Sequence, residues 1–459
     1  MFAYLIRRLL LMIPTLLGIT ILVFSVMAAS PGGISAQSLA GGMDMKPAER
    51  KALEDYYNKR YGLNDPAPLQ YLRWINNVSP VGFLLDENNK FSRFSFSKGS
   101  DLGQSFNYGR PVIELIKERL PITLLLNVIT IPLIYIIAII IGVKAATDRG
   151  GRFDVASNIS MLALWSIPSM LAGVLLIGFF ANTQHWQWFP TAGLSEREAM
   201  DMPFMPSGLS LLSVAKVFIG MSLGVILMIT LALWQHRSVR VLIAAVIGFA
   251  LGGWMAMSHP ENLTMNFIVL PLISAIIVGL IAYTSFATFR VGGLGLIGAG
   301  IGLLIALNII SDPLVRGFLF DRIWHLILPV LTLSYGGFAF LAKLTRTSIL
   351  ENLQADYART ARAKGVSEHD VLWRHVFRNS LIPLITVTAG LLPSLLAGSV
   401  IVESIFSING MGNLVIEAVK SRDRELVLSI TLISGFLTLI GYLIADFLYT
   451  IVDPRVSYE

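Results

Sequence analysis

Cysteine is absent from the 459 residues, which excludes disulfide frameworks, thiolate nucleophiles and cysteine-ligated zinc together. Charge is scarce as well. Charged residues make up 14% of the chain, against roughly 25% in a soluble domain, while 54% are apolar and the mean hydropathy is +0.69. A soluble globule of this length needs more charge to cover its surface. No G-x-x-x-x-G-K-[ST] loop occurs, so the chain does not itself cradle ATP phosphates. There is no G-x-S-x-G elbow. The six histidines (His185, His236, His259, His325, His369, His375) form neither H-E-x-x-H nor another metal-ligand spacing. No cofactor, metal site or catalytic residue is therefore expected, and an intramembrane enzyme would lack both a nucleophile and a metal cluster. The net charge of +6 reads as basic cytoplasmic loops of a membrane protein rather than as a nucleic-acid partner.

What the chain has is long apolar runs. A helix crosses the bilayer core with about 20 mostly apolar residues, and ten stretches qualify: 9–29, 120–143, 155–181, 211–234, 239–257, 267–289, 292–310, 323–344, 377–402 and 426–452. Lys216 pushes the start of the fourth towards its outer edge. Charges deep in spans, which mark proton relays and ion-coupled carriers, are nearly absent, and this weighs against a secondary transporter or channel. With the N-terminus inside, Arg7 and Arg8, then Lys144, Arg149 and Arg152, then His236, Arg237 and Arg240, then Arg290, all fall in the cytoplasm, as the positive-inside rule requires. The short outer loop 258–264 carries only Glu261. Ten spans also return the C-terminus, with Arg455, to the cytoplasm. The first span has an alternative reading as a signal peptide, but its apolar core exceeds the roughly 7 to 15 residues of a secretory segment, which favours a retained helix. His325, beside Trp324, reads as part of an interfacial aromatic belt, with ligand contact as the alternative.

Gly293, Gly295 and Gly298 spell G-x-G-x-x-G, but no strand precedes them; in an apolar run, with Gly302, they read as close helix packing. Between the eighth and ninth spans lies a cytoplasmic segment of another kind. Residues 355–364 are amphipathic, with Tyr357, Ala358 and Ala361 on one side and Arg359, Arg362 and Lys364 around the other. Gly365 offers a helix stop and Ser367 an N-cap for a second helix through Val371, Leu372 and Val376. The residues predict two short helices with a sharp turn. They leave open whether this element presses into a groove on a partner or rests on anionic headgroups.

The segment DYARTARAKGVSEHDVLWRHVFRNSLIPL (356–384) resembles the cytoplasmic coupling loop of ABC-importer permeases of the dipeptide, oligopeptide and nickel type. Further resemblances are FAYLIRRLLLMIPTLLGITILVF (2–24) with PGG (31–33), DLGQSF (101–106), PVIELIKERLPITLLL (111–126), HLILPVLTLS (325–334), VIVESIFSINGMGNLVIEAVKSRD (400–423) and DFLYTIVDPRVSY (446–458). Together they cover somewhat over half of the chain. The superfamily loop begins Glu-Ala-Ala, where this chain has Arg359, Thr360 and Ala361, the form associated with the peptide and nickel branch. Where the family often has Trp-Pro-Gly, this chain has Ile408, Asn409 and Gly410.

The resemblance implies an all-α polytopic membrane protein of about ten spans, a six-helix permease core plus about four inserted helices. The expected regions are a first span (1–30), an extracytoplasmic region (31–117), core spans two and three (118–183), the insert (184–322), and the remaining core (323–459) with the coupling loop 346–376. The implied partners are a second, related permease, two cytoplasmic ATPases that carry out the hydrolysis, an extracytoplasmic solute-binding protein and the surrounding membrane lipid, in a bacterial inner membrane. Peptides are the implied solutes, with nickel chelates, opines and sugars as alternatives. Asp356, Tyr357, Arg359, Arg362, Ala363, Lys364 and Gly365 are the expected coupling residues: Tyr357 an apolar anchor, the cations partners for ATPase carboxylates, Gly365 the turn. Asp101, Gly103, Ser105 and Glu403 are candidates for the outer gate or the binding-protein contact. A plain turn at Asp101 and Gly103 is the alternative.

Overall fold

The computed structural model describes residues 2–29, 48, 51–52, 55, 65–85, 91–182, 188–208, 210–257, 265–310 and 315–452. The segment 31–33, the loop 258–264, His185, His259 and Arg455 lie outside the described residues. Among those described, the named strands are an antiparallel hairpin, β1 (Gly82–Leu85) and β2 (Phe91–Ser95). Helix makes up nearly all the rest, so the fold is all-α. The principal helices are α1 (Phe2–Ala29), α2 (Ala67–Val78), α3 (Val112–Thr147), α4 (Arg152–Ser166), α5 (Ser169–Phe180), α6 (Leu211–Leu233), α7 (Arg237–Met257), α8 (Leu270–Tyr283), α9 (Ala287–Ile309), α10 (Gly317–Gln354), α11 (Asp356–Ala363), α12 (Phe377–Ile405), α13 (Met411–Lys420) and α14 (Arg424–Val452).

Seven helices among the described residues are long and apolar enough to cross a membrane: α1, α3, α6, α7, α9, α10 and α14. The stretch 155–181 is not one straight helix, because α4 and α5 meet at 95°. Pro168 has no N–H and disfavours helical backbone before it, and Ile167 is accordingly extended at φ −82°, ψ 123°. Taken as one broken span, this pair makes eight. The run expected at 267–289 divides into a π-helical turn (Met265–Val269), the 14-residue α8 and the start of α9. The run at 377–402 forms α12, 29 residues long. Among the described residues, seven or eight of the ten runs pass as crossings by length and composition, a tally that does not include the short α8 or the 29-residue α12.

Contacts divide the chain into two units, Met1–Gly173 with Pro329–Glu459, and Val174–Leu328. In the first, α3 crosses α10 closely. A Cβ on Gly142 would lie 2.8 Å from the Ala342 carbonyl oxygen, and Ile134, Ala138, Leu341 and Ala342 fill the crossing. At another end of α3, Val112, Leu115 and Ile116 pack against Met411 and Leu414 of α13 and Leu426 of α14. Helix α2 seats Trp74 against Phe24 of α1 and Leu428 of α14.

In the second unit, α6 packs on α9 and α7 on α8. A Cβ added to Gly298 would lie 2.2 Å from the Gly224 carbonyl oxygen, and one on Gly302 2.0 Å from that of Gly220. Gly298 and Gly302 therefore serve backbone contact between helices, while Gly293 and Gly295 face the Ile281 and Ile229 side chains.

Candidate functional site

The segment between α10 and α12 is built from very little apolar material. An isolated eight-residue helix is unstable in water, so α11 depends on its seat. Ala358 and Ala361 are buried among Val143 and Ala146 of α3, Ile349 of α10, and Val371 and Val376 downstream. Alanine permits this close approach, and each methyl contributes about 0.8 kcal/mol on burial. The helix ends where the Val366 N–H donates to the Ala361 carbonyl at 3.2 Å, a closure that needs Gly365 in the left-handed region at φ 78°. Ser367 then caps the next turn, its Oγ accepting from the Asp370 N–H at 3.2 Å.

This part departs from the sequence expectation. The second helix is not a separate short one. From Glu368 the chain passes through a π-helical turn (Val371–Val376) straight into α12. Neither Gly nor Pro stands between Ser367 and Ile382, so nothing interrupts the helix.

The expected coupling residues divide by what they touch. Asp356, Arg359, Ala363, Lys364 and Gly365 are exposed, and the weak Asp356–Arg359 contact at 3.7 Å leaves the Arg359 side chain 71% exposed. Tyr357 is exposed, and its hydroxyl donates to Asn352 Oδ1. Arg362 is turned inward on its own segment, donating from Nε to Glu368 Oε1 at 2.8 Å and from Nη1 to the Leu353 carbonyl at 3.0 Å. It staples the turn.

Two residues beneath this element had no sequence signal of their own. Asp154, at the start of α4, accepts from the Gly150 N–H at 2.9 Å, from Asn158 Nδ2 at 2.9 Å and from Arg346 Nη2 at 2.7 Å. Arg346 lies one turn before Ile349 on α10, so this pair ties the α3–α4 turn to the helix that carries the seat of α11.

The other candidates form a second, tightly bonded region. Asp101 Oδ1 accepts from the Gly103 N–H at 2.8 Å. Gly103 has φ 78°, and a Cβ there would stand 3.0 Å from Glu425 Oε2, so both backbone and space require glycine. The turn reading of Asp101 and Gly103 thus describes their local geometry. Ser105 Oγ donates to Asp423 Oδ2 at 2.5 Å, and the same carboxylate accepts from the Asn107 and Leu426 N–H groups at 3.2 Å. Burial pushes the Asp423 carboxyl above its ordinary range, while these donors oppose that rise. Tyr108 donates to Glu417; burial first, and that bond second, push its phenol up to about 12. DLGQSF and VKSRD, far apart in sequence, are therefore one structure.

Glu403 is fully buried near the end of α12. Thr123 Oγ1 donates to its Oε1 at 2.7 Å, and the Asn413 N–H to its Oε2 at 3.0 Å. Thr123 in turn accepts from the Met411 N–H at 2.8 Å. The loop wraps this carboxylate so closely that a Cβ on Gly410 would sit 2.5 Å from its carbon, and one on Gly412 2.5 Å from Val400 Cα. Glu403 thus joins α3, α12 and α13.

In the second unit, Glu196, Asp321 and His325 place ligand-type atoms within 4.8 Å of one another. The set is an ion-pair network. Arg316 pairs with both carboxylates, Asp321 Oδ2 accepts from the Glu196 N–H at 3.0 Å, and His325 Nδ1 lies 2.8 Å from the Asp321 carbonyl oxygen. His325 is buried. Trp324 is the exposed partner, donating from Nε1 to the Trp188 carbonyl at 2.9 Å.

Seven helices of membrane-crossing length and an amphipathic surface helix place the chain among multi-pass membrane proteins. The chain belongs to the family of binding-protein-dependent transport system inner membrane components, whose model matches residues 138–458; the N-terminal model of such membrane components matches residues 1–127. It is 30% identical to the oligopeptide transport system permease protein AppB of Bacillus subtilis, with 100% of both chains covered. It is 26% identical to the inner membrane ABC transporter permease protein YejB of Escherichia coli O157:H7, over 100% of this chain and 99% of the other. The peptidoglycan transport system permease protein YejB of Agrobacterium fabrum is also 26% identical, over 100% and 98%. The protein is thus a multi-pass permease subunit of an ABC importer and not an enzyme.

Proposed function

We propose that this permease forms half of the pathway of an ATP-driven peptide importer, pairing with a second, related permease above two cytoplasmic ATPases and receiving solute from an extracytoplasmic binding protein. In this reading both termini, α11 and the Asp154–Arg346 pair face the cytoplasm. Asp101, Gly103, Ser105 and Glu403 belong to the outer face, where residues 31–117 meet the binding protein, and the inserted helices 184–322 are additional to the transport core. The peptide assignment follows the relatives named for oligopeptide and peptide transport.

The observation that carries the proposal is the division of α11: two alanines seated on the spans, and Asp356, Tyr357, Arg359 and Lys364 left on the surface. Such a helix is held by its own chain and still offers charge and an aromatic ring to a partner. ATPase closure would move α11 and, through the unbroken helix after Ser367, the whole of α12. Its 29 residues reach about 43 Å at about 1.5 Å each, to the Glu403 junction.

Reconstitution with the cognate ATPases and binding protein tests this. Arg359→Glu with Arg362→Glu should abolish ATP-dependent peptide uptake while membrane insertion persists, and Gly365→Pro, which cannot hold φ 78°, should lose uptake together with the turn itself; normal uptake in correctly inserted double variants would refute the coupling assignment. Because the chain has no cysteine, cysteines introduced at Lys364 and Ser97 report orientation cleanly. An impermeant maleimide should reach Ser97→Cys in intact cells and Lys364→Cys only after permeabilisation, and the reverse pattern would overturn the topology.

A further inference from the structure

The second unit repeats itself at a shift of 50 residues. Ala232, Arg240, Gly248 and Gly252 recur as Ala282, Arg290, Gly298 and Gly302. The core recurs as well, since buried Met228, Ala232 and Ala244 correspond to buried Val278, Ala282 and Leu294. So do the contacts. A Cβ on Gly298 would meet the Gly224 carbonyl oxygen, and one on Gly248, 50 residues earlier, would meet that of Ser274, which is Gly224 shifted by 50. The α6–α7 and α8–α9 hairpins are therefore two copies of one unit, each helix packed on a helix of the other copy.

At the turn end of the hairpins the same shift relates two arginines. Arg240 donates from Nη1 to the Trp234 carbonyl of its own turn at 2.6 Å and from Nε to the Ala282 carbonyl of the other copy at 2.9 Å. Arg290 donates from Nη1 to the Thr284 carbonyl at 2.9 Å and from Nε to the Ala232 carbonyl at 2.8 Å, the equivalent bonds. Arg237 adds a third guanidinium, donating from Nη2 to the Tyr283 carbonyl at 2.9 Å and lying over the Tyr283 ring at 3.5 Å. All three gather about the last turns of α6 and α8.

Among the described residues no carboxylate pairs with them. Between Asp201 and Asp312 the only acidic residue in the sequence is Glu261, which lies outside the described residues. The two helix C-termini here, each about half a negative charge, are offset by the N-termini of α7 and α9 beside them. Arg240 is 6% exposed, and a buried cation without a counter-charge is unfavourable. The described bonds leave one terminal nitrogen on each guanidinium. Leu233, Trp234 and Phe289 are exposed at the ends of these apolar helices, and aromatic residues are enriched where such helices meet the headgroup layer; an open hollow lined by Thr230, Leu233, Trp234, Gln235 and His236 adjoins them.

We propose that this end of the duplicated insert binds an anionic membrane lipid whose headgroup carries two phosphates, with Arg240 and Arg290 as equivalent seats and Arg237 as the third cation. The paired arginines match a two-phosphate headgroup, and basic pockets between membrane helices recruit such lipids. The site does not depend on transport, and only its assignment to the cytoplasmic leaflet rests on the orientation proposed above.

Native mass spectrometry of the purified, delipidated transporter tests it after titration with cardiolipin, phosphatidylglycerol or phosphatidylcholine. Cardiolipin should be retained selectively, and Arg237→Gln with Arg290→Gln should weaken retention about fivefold per cation removed. Arg240→Lys, which keeps the charge, should bind more strongly than Arg240→Gln. Exposed Arg237→Gln alone keeps the test open should a buried variant fail to assemble. Equal retention by wild type and double variant, or no preference for cardiolipin over phosphatidylglycerol, overturns the proposal. Displacement of cardiolipin by inorganic pyrophosphate at equal concentration would instead make this a soluble-anion site. Loss of uptake with intact lipid retention would count against the transport reading alone.

Discussion

The Glu403 region and the α11 region are both polar, and they spend their polarity in opposite directions. Glu403 and Asp423 are fully buried, and their oxygens are occupied by donors of their own chain. On α11 the buried residues are two alanines, and Asp356, Arg359 and Lys364 stand out in solvent. Carboxylates enclosed in this way fix helices to one another, because removing a donor leaves a desolvated acceptor unsatisfied at a cost of about 1 to 3 kcal/mol. Exposed charges contribute little to the chain's own stability and remain available to another molecule. Substitutions in the first region should therefore lower stability, and those in the second should lower coupling.

The largest effect should come from Gly410→Val, which drives a side chain into the Glu403 carboxylate, 2.5 Å from where its Cβ would stand. A cost at or above the usual 1 to 3 kcal/mol of overpacking is expected, read as lost monodisperse protein and a lowered Tm. Gly390→Ala, where an added Cβ meets nothing within 4 Å, should leave Tm unchanged or raise it, since alanine favours helix. Equal losses for the two would remove Glu403 as the reason.

Next is Ser105→Ala, which takes one donor from Asp423 and should cost about 1 to 3 kcal/mol at neutral pH. Burial already holds the Asp423 carboxyl above its ordinary value, so protonation favours the folded form, and that contribution is lost as pH rises from the ordinary carboxylate range through the raised value. Losing the hydroxyl raises the folded value further. The gap between variant and wild type should thus be widest at neutral pH and narrow on acidification; a gap that does not change with pH would mean that Ser105 supports something other than the carboxylate.

Composition and periodicity disclosed the membrane class, because a bilayer demands long apolar helices whatever their packing. They counted ten runs without showing that Pro168 bends one by 95°, since a residue pattern gives apolarity and not direction. The amphipathic face of α11, Gly365 and the Ser367 cap were legible because each is a local rule of helix ends. Long-range pairing was not. Asp154–Arg346 joins residues 192 apart, and Ser105–Asp423 residues 318 apart. The inward turn of Arg362 was hidden for a related reason: periodicity places it on the polar side of α11, but only the folded turn brings Glu368 and the Leu353 carbonyl within reach.

On α11 itself the comparison becomes sharper, since one helix holds both kinds of residue. Arg359→Glu alters an exposed side chain, and it should cut ATP-dependent uptake at least tenfold, about 1.4 kcal/mol in coupling, with Tm unchanged.

Arg362→Gln should have the smallest effect and of the other kind. Its salt bridge to Glu368 is partly exposed, with side-chain exposures of 34% and 72%, so solvent screening limits the loss to about 0.2 to 1 kcal/mol. The bond to the Leu353 carbonyl adds a contribution of similar size. Uptake should fall modestly, and Glu368→Gln should reproduce most of that fall, because both substitutions open the same turn. Combining the two should add little beyond either alone, as expected for two partners of one bond. If instead Arg362→Gln abolished uptake while Glu368→Gln left it intact, Arg362 would be facing the ATPase during transport, and the division of α11 between a stapled side and an offered side would have to be redrawn.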